Sequence, residues 1–120
     1  LTKRKTQSKL KAAGLPWERS KAFTGSALFS EFVQAPEDLS QLGLELRIND
    51  ALRQKGDVSL MLYPLAVILE ELRQFLTLED GDIIMTGTPA GVGPVQSGEC
   101  FDGRVLAGEQ VLAQAVWQAR

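Results

Sequence analysis

Between residues 42 and 50 the chain reads LGLELRIND, and Leu44, Leu46 and Ile48 alternate with Glu45 and Arg47. That two-residue period predicts a half-buried strand. Asn49-Asp50 predicts a hairpin tip, followed by a return strand near Ala51 to Gln54. The period then changes. Leu65, Ile68, Leu69, Leu72, Phe75 and Leu76 recur at helical spacing, which predicts a helix from Pro64 to Leu76 with one apolar face. Pro64 suits the first helical position, where an N–H would have no partner. Near the end, Cys100 to Val105 and Val111 to Trp117 read as two more strands, with Val111, Ala113, Ala115 and Trp117 on one face. Thr2 to Ala13 reads as a helix stopped by Gly14 and Pro16. Residues 15 to 33 keep no period and read as irregular, with room for a short strand near their end. TLEDGD is a turn and IIMT a short strand leading into a Gly-rich loop. The pattern predicts a mixed α+β chain with mostly antiparallel strands in its later part.

Composition narrows the chemistry. The 120 residues suffice for one domain, spanning 1–120, with a modest core. A net charge of −2 and a pI near 5.1 argue against nucleic acid as a partner. Lys3, Arg4, Lys5, Lys9 and Lys11 form a basic run that reads as a solvated helix face, with polyanion binding as the alternative. Cys100 is the only cysteine, so no internal disulfide forms and a reducing, cytoplasmic setting is expected. The chain has no histidine, which removes Ser-His-Asp and Cys-His catalysis and Cys/His zinc sites from these residues. The longest apolar stretch, 60–69, is interrupted by Tyr63 and Pro64 and is too short for a membrane span. No signal-peptide pattern opens the chain. It begins with Leu1, and a piece of something longer is expected.

The densest signal is DGDIIMTGTPAGVGPV, residues 80–95. A P-loop needs Lys after its second Gly, and none follows Gly87, Gly91 or Gly93 in that register. The dinucleotide fingerprint fails too, because no helical pattern begins after Gly93. In Thr86-Gly87-Thr88-Pro89, two hydroxyls flank a residue without a Cβ. Such a stretch is either a structural turn or a wall approached closely by a ligand carboxylate or carbonyl.

TLEDGDIIMTGTPAGVGPV resembles the signature loop of the fumarylacetoacetate hydrolase family, T-L-x-x-G-D-x-I-x-T-G-T-P-x-G-V-G. Three further stretches are similar to that family in the same order. LTKRKTQ (1–7) resembles D-x-T-x-R-D-x-Q, and GLPWERSKAF (14–23) resembles G-x-P-W-x-x-A-K-x-F. RINDALRQKGDVSLML resembles a strand hairpin containing V-N-G-x-x-R-Q-x-G. The resemblance covers the C-terminal portion of the family's catalytic domain. It implies a mostly antiparallel β-roll or barrel-like fold with flanking helices, incomplete in this chain, and a homodimer.

The resemblance also implies Mg²⁺ or Mn²⁺ on the oxygens of a small 2-oxo or β-diketo acid, stabilising enolate charge as a Lewis acid. Carried over by position, Arg4 and Gln7 would hold substrate oxygens, Lys21 would neutralise an enolate or orient water, and Thr88 would hold a carboxylate. Thr24, Gly25, Thr86 and Gly87 would lie beside the metal or in the loop. Without the motifs, Arg4, Gln7 and Lys21 read as solvated surface, and Thr86 and Thr88 as partners of a neighbouring strand. The family's metal carboxylates, a Glu-x-Glu pair and an Asp before LT, have no counterpart from Leu1 onward, so no metal ligand is assigned here. Lys5 stands where the family usually has an acid, Thr24 where many members have Asp, and Asn49-Asp50 replaces Asn-Gly. The expected function is part of a divalent-metal-dependent catabolic enzyme that hydrolyses a C–C bond, decarboxylates or isomerises a 2-oxo acid. The rival is a truncated, non-catalytic, dimerising chain.

Overall fold

Asn49 and Asp50 both adopt left-handed φ, 49° and 66°, the geometry of a type I′ hairpin turn. They join β1 (Leu42–Ile48) to β2 (Ala51–Asp57) in an antiparallel pair. In this computed structural model, which describes residues 1–120, two more strands follow, β3 (Cys100–Ala107) and β4 (Gln110–Gln118). The sheet is entirely antiparallel, in the order β2-β1-β3-β4, and open at both edges. Two helices complete the fold, α1 (Arg4–Ala12) and α2 (Leu65–Arg73). Two compact units result, Leu1–Ser30 and Glu31–Arg120. No helix is long and apolar enough to cross a membrane.

Helix α1 stops as its sequence dictates. Gly14 takes φ 65°, its N–H donates to Lys11 O, and Leu15 N–H donates to Leu10 O. This is the paired bonding of a Schellman motif, which satisfies the last carbonyls of the helix. Helix α2 is shorter than the predicted 64–76. Pro64 has ψ 153°, so it caps the helix from outside. At the other end Gln74 and Phe75 N–H bond back only three residues, tightening the last turn. Phe75 is therefore 73% exposed, whereas Leu65, Ile68, Leu69 and Leu72 are half-buried.

Strand pairing corrects four expectations. The return strand runs past Gln54 to Asp57. No strand forms over IIMT or near residue 33. In the pairing of β3 with β4 the register shifts after Val105, which pairs with Ala113 while Leu106 pairs with Val111. Leu112 is the extra residue of this bulge, and Val111 lands on the face opposite Ala113, Ala115 and Trp117. Trp117 lies across Gly103, where a Cβ would meet its ring at 3.1 Å.

The two faces of the sheet differ in chemistry. Leu42, Leu44, Leu46 and Ile48 share one face with Val105 and Ala113, and Glu45, Arg47, Asp102 and Arg104 share the other. On the charged face Glu45 Oε1 accepts from Lys55 Nζ at 2.8 Å. Asp102 accepts from Arg104 Nη2 at 2.6 Å and from Gln114 Nε2 at 2.8 Å. The bond from Lys55 lowers the Glu45 pKa, and the bonds from Arg104 and then Gln114 lower that of Asp102. A carboxylate held below its ordinary value adds stability that is complete above the unfolded pKa and lost as pH falls through the folded one. The expected urea midpoint is therefore flat above the ordinary carboxylate range and drops below it. Asp102→Asn, measured by urea titration at several pH values, should flatten part of that drop while changing little in exposed packing.

The modest core expected from chain length does not form, because no apolar side chain is fully buried. The apolar face of the sheet and the inner face of α2 leave a cavity of about 620 Å³ between them. Leu42, Leu44 and Val105 line it from the sheet, and Leu65 and Ile68 from the helix. That is far larger than the voids of a close-packed interior and falls within the size range of small-molecule pockets.

Candidate functional site

The Gly-rich loop forms one wall of this cavity, through Thr86, Gly87, Thr88 and Pro89. Gly87 has φ 112°, a conformation that L side chains rarely adopt, and a Cβ there would meet nothing. Backbone shape therefore fixes the residue. Gly56 of β2 serves a different need, since its Cβ would fall 2.9 Å from Pro89 Cβ. Gly91 is tighter still, with φ 102° and a virtual Cβ 1.9 Å from Arg53 O. Two glycines thus let the loop lie directly on β2.

Gln54 fastens it. Its Nε2 donates to Thr88 Oγ1 at 2.9 Å and to Pro89 O at 2.8 Å, with Ala90 O at 3.5 Å. A register shift between Leu46 and Arg47 leaves Arg53 as the extra residue, and Gln54 pairs with Leu46 on the apolar face. Gln54 is a functional candidate that sequence reading missed. It lies inside the R-Q-x-G part of the resemblance, but strand alternation alone gives a half-buried Gln no role.

The remaining sequence candidates belong to the first unit. Arg4 opens α1 and its Nη1 donates to Oε1 of the buried Gln7 at 3.2 Å, so these two residues are brought together. Lys21 follows the short 3₁₀ turn Glu18–Ser20, its N–H donating to Glu18 O at 2.7 Å. Ser20 is fully buried and its hydroxyl donates to Trp17 O at 2.5 Å. Lys3 N–H donates to Ser20 O at 2.9 Å. The residues preceding Arg4 and Lys21 are therefore bonded to each other, which ties the start of α1 to the turn that carries the lysine. Thr24 and Gly25 occupy the centre of a tight turn closed by Ser26 N–H to Phe23 O, with Gly25 at φ 76°. The basic run also packs locally, with Lys3 over the Phe23 ring at 4.4 Å and Lys11 over Trp17 at 4.7 Å.

A hard divalent cation needs several oxygen ligands. No group of three or more His, Cys, Asp or Glu side chains gathers where it could hold an ion. Residues 1–120 therefore do not by themselves fit the Mg²⁺ or Mn²⁺ that the resemblance implies. What they do supply is cationic, amide and hydroxyl donors, the groups that bind carboxylate and carbonyl oxygens.

Residues 1–115 match the family described as Fumarylacetoacetate (FAA) hydrolase C-terminal. Oxaloacetate tautomerase YcgM of Escherichia coli K12 is 42% identical over 113 residues, covering 88% of this chain and 52% of that protein. The human mitochondrial oxaloacetate tautomerase FAHD1 is 43% identical over 101 residues, covering 82% of this chain and 46% of that protein. Among solved structures, the yeast fumarylacetoacetate hydrolase family protein ynq8 superposes with a TM-score of 0.91 at 33% identity, over 99% of this chain and 52% of that one. The chain spans about half the length of the curated relatives it matches. With four ordered motifs, a matching sheet and a family match over nearly its whole length, the chain belongs to the fumarylacetoacetate hydrolase family and corresponds to its C-terminal portion.

Proposed function

We propose that the chain forms part of an enzyme that interconverts the keto and enol forms of a small 2-oxo dicarboxylic acid. The observation that carries this reading is the Thr86-Gly87-Thr88 wall of the cavity, where a residue without a side chain lies between two threonines. The relatives that act on oxaloacetate support the choice of substrate class. Keto–enol exchange removes a proton from the carbon beside the carbonyl and places one on the carbonyl oxygen. Negative charge builds on that oxygen between the two events, so fixed cations and hydrogen-bond donors lower the barrier. In this proposal Arg4 binds a carboxylate through parallel N–H donors. Because Arg4 already occupies Gln7 Oε1, Gln7 Nε2 is the end that donates to a substrate oxygen. By the family resemblance, the Lys21 ammonium would neutralise enolate charge and the Thr88 hydroxyl would hold a carboxylate.

The test is oxaloacetate ketonisation in the longest natural polypeptide carrying these residues, followed by loss of enol absorbance with Mg²⁺ or Mn²⁺ supplied. Thr88→Val should raise KM about tenfold or more, the loss expected for one hydrogen bond to a charged group, with kcat nearly unchanged. Inactivity on oxaloacetate and on a panel of acylpyruvates would refute the proposal.

A further inference from the structure

We infer that Gln54 is a positioning residue that commits the Thr88 hydroxyl to donate into the cavity; this rests on the proposed carboxylate-binding role of Thr88. Pro89 O and Ala90 O can only accept hydrogen bonds. The amide end of Gln54 that faces them, at 2.8 and 3.5 Å, must therefore be the nitrogen. The same nitrogen stands 2.9 Å from Thr88 Oγ1, so Thr88 is the acceptor of that bond. A threonine hydroxyl has one hydrogen and two lone pairs. With a lone pair engaged by Gln54, the hydrogen is left for another partner, and accepting one bond strengthens the bond it donates. Thr88 lines the cavity and Gln54 does not. A ligand carboxylate offers acceptors alone, so a hydroxyl held as a donor suits it.

Gln54 can do this because the loop is pressed onto β2. The close approaches at Gly56 and Gly91 bring residues 88–90 within reach of a side chain 34 positions earlier. Removing the amide frees the hydroxyl to rotate. Replacing it with a carboxylate reverses the bond, because Glu can only accept from Thr88 and repels the carbonyls of Pro89 and Ala90.

The experiment compares Gln54→Met, Gln54→Glu, Thr88→Val and the double variant Gln54→Met/Thr88→Val in oxaloacetate ketonisation, with KM and kcat resolved. Gln54→Met should raise KM about tenfold with kcat nearly constant, and Gln54→Glu should raise it further. The double variant should be no worse in KM than Thr88→Val, because Gln54 acts through that hydroxyl. A KM unchanged in both Gln54 variants, while Thr88→Val raises it, overturns the inference and leaves the proposed function standing. Additive effects in the double variant overturn it as well, since they would mark a merely structural role. No change in KM for Thr88→Val overturns both. If the Gln54 variants do not fold, hydrogen exchange of the Gln54 side-chain amide in the parent protein decides: slow exchange supports the inference and solvent-like exchange overturns it.

Discussion

Gly91→Ala is expected to unfold the loop from the sheet and to lower stability by roughly 3 kcal/mol or more, the largest effect of any single methyl added to the chain. Two independent costs add at this position. A backbone at φ 102° strains any residue with a Cβ, at about 1–3 kcal/mol. The new methyl would also stand 1.9 Å from Arg53 O and 3.2 Å from Gln54 Cγ. The carbonyl belongs to the bulged residue of β2, whose neighbours Leu52 and Gln54 are both paired with β1 and hold the backbone on either side. The loop must move instead, and Gln54 then loses its three acceptors together. Two neighbouring glycines calibrate the result. Gly87→Ala meets the strain alone, because nothing lies within 4 Å of its Cβ. Gly93→Ala meets neither cost and should stay within about 0.5 kcal/mol of the parent. Thermal melts of the three variants should rank Gly91 well below Gly87, and Gly87 below Gly93. For a chain of this size, the first should lose on the order of 10 °C or more. Equal melting temperatures for Gly91→Ala and Gly93→Ala would show that the loop does not rest on β2.

The rule that fails for the loop succeeds for the hairpin, and the contrast is physical. Alternation over Leu44, Leu46 and Ile48 and the Asn49-Asp50 tip are local features, so β1 and its turn were legible from sequence. Gly14 likewise announced the end of α1. Bulges are not local. The shift at Leu112 depends on which residue of β3 stands opposite, and it moved Val111 to the other face. Ile83, Ile84 and Met85 have strand-like composition, yet a strand also needs a neighbour with free N–H and C=O groups, and the segment joins no strand of the sheet. Gln54 was illegible for a related reason. Its role exists only once the loop docks on β2, and that docking depends on two methyl groups being absent. The composition promised apolar burial, but composition says nothing about what covers a face. Leu42, Leu44, Leu65 and Ile68 line an open cavity where a filled core was expected.

Lys21→Met is expected to reduce kcat for keto–enol exchange by about 10²- to 10⁴-fold, the range for loss of a positioned acid, base or charge-stabilising group. The same substitution should barely move the melting temperature. The lysine is exposed, whereas the turn beneath it is held by groups the substitution leaves alone. Ser20 stays buried, its hydroxyl still meets Trp17 O, and Lys3 N–H still meets Ser20 O. A large rate effect without a stability effect would therefore place the ammonium in the chemistry. Lys9→Met supplies the control, since it removes an equal charge from the exposed side of α1 and should leave kcat within about twofold. Lys21→Arg then separates two roles. Arginine keeps the positive charge but does not give up a proton near neutral pH. If the lysine only neutralises enolate charge, Lys21→Arg should recover much of the rate. If it passes a proton or orders a water, the arginine variant should be as slow as Lys21→Met. A kcat unchanged in Lys21→Met would remove the residue from the mechanism and leave Arg4 and Gln7 as the groups to test next.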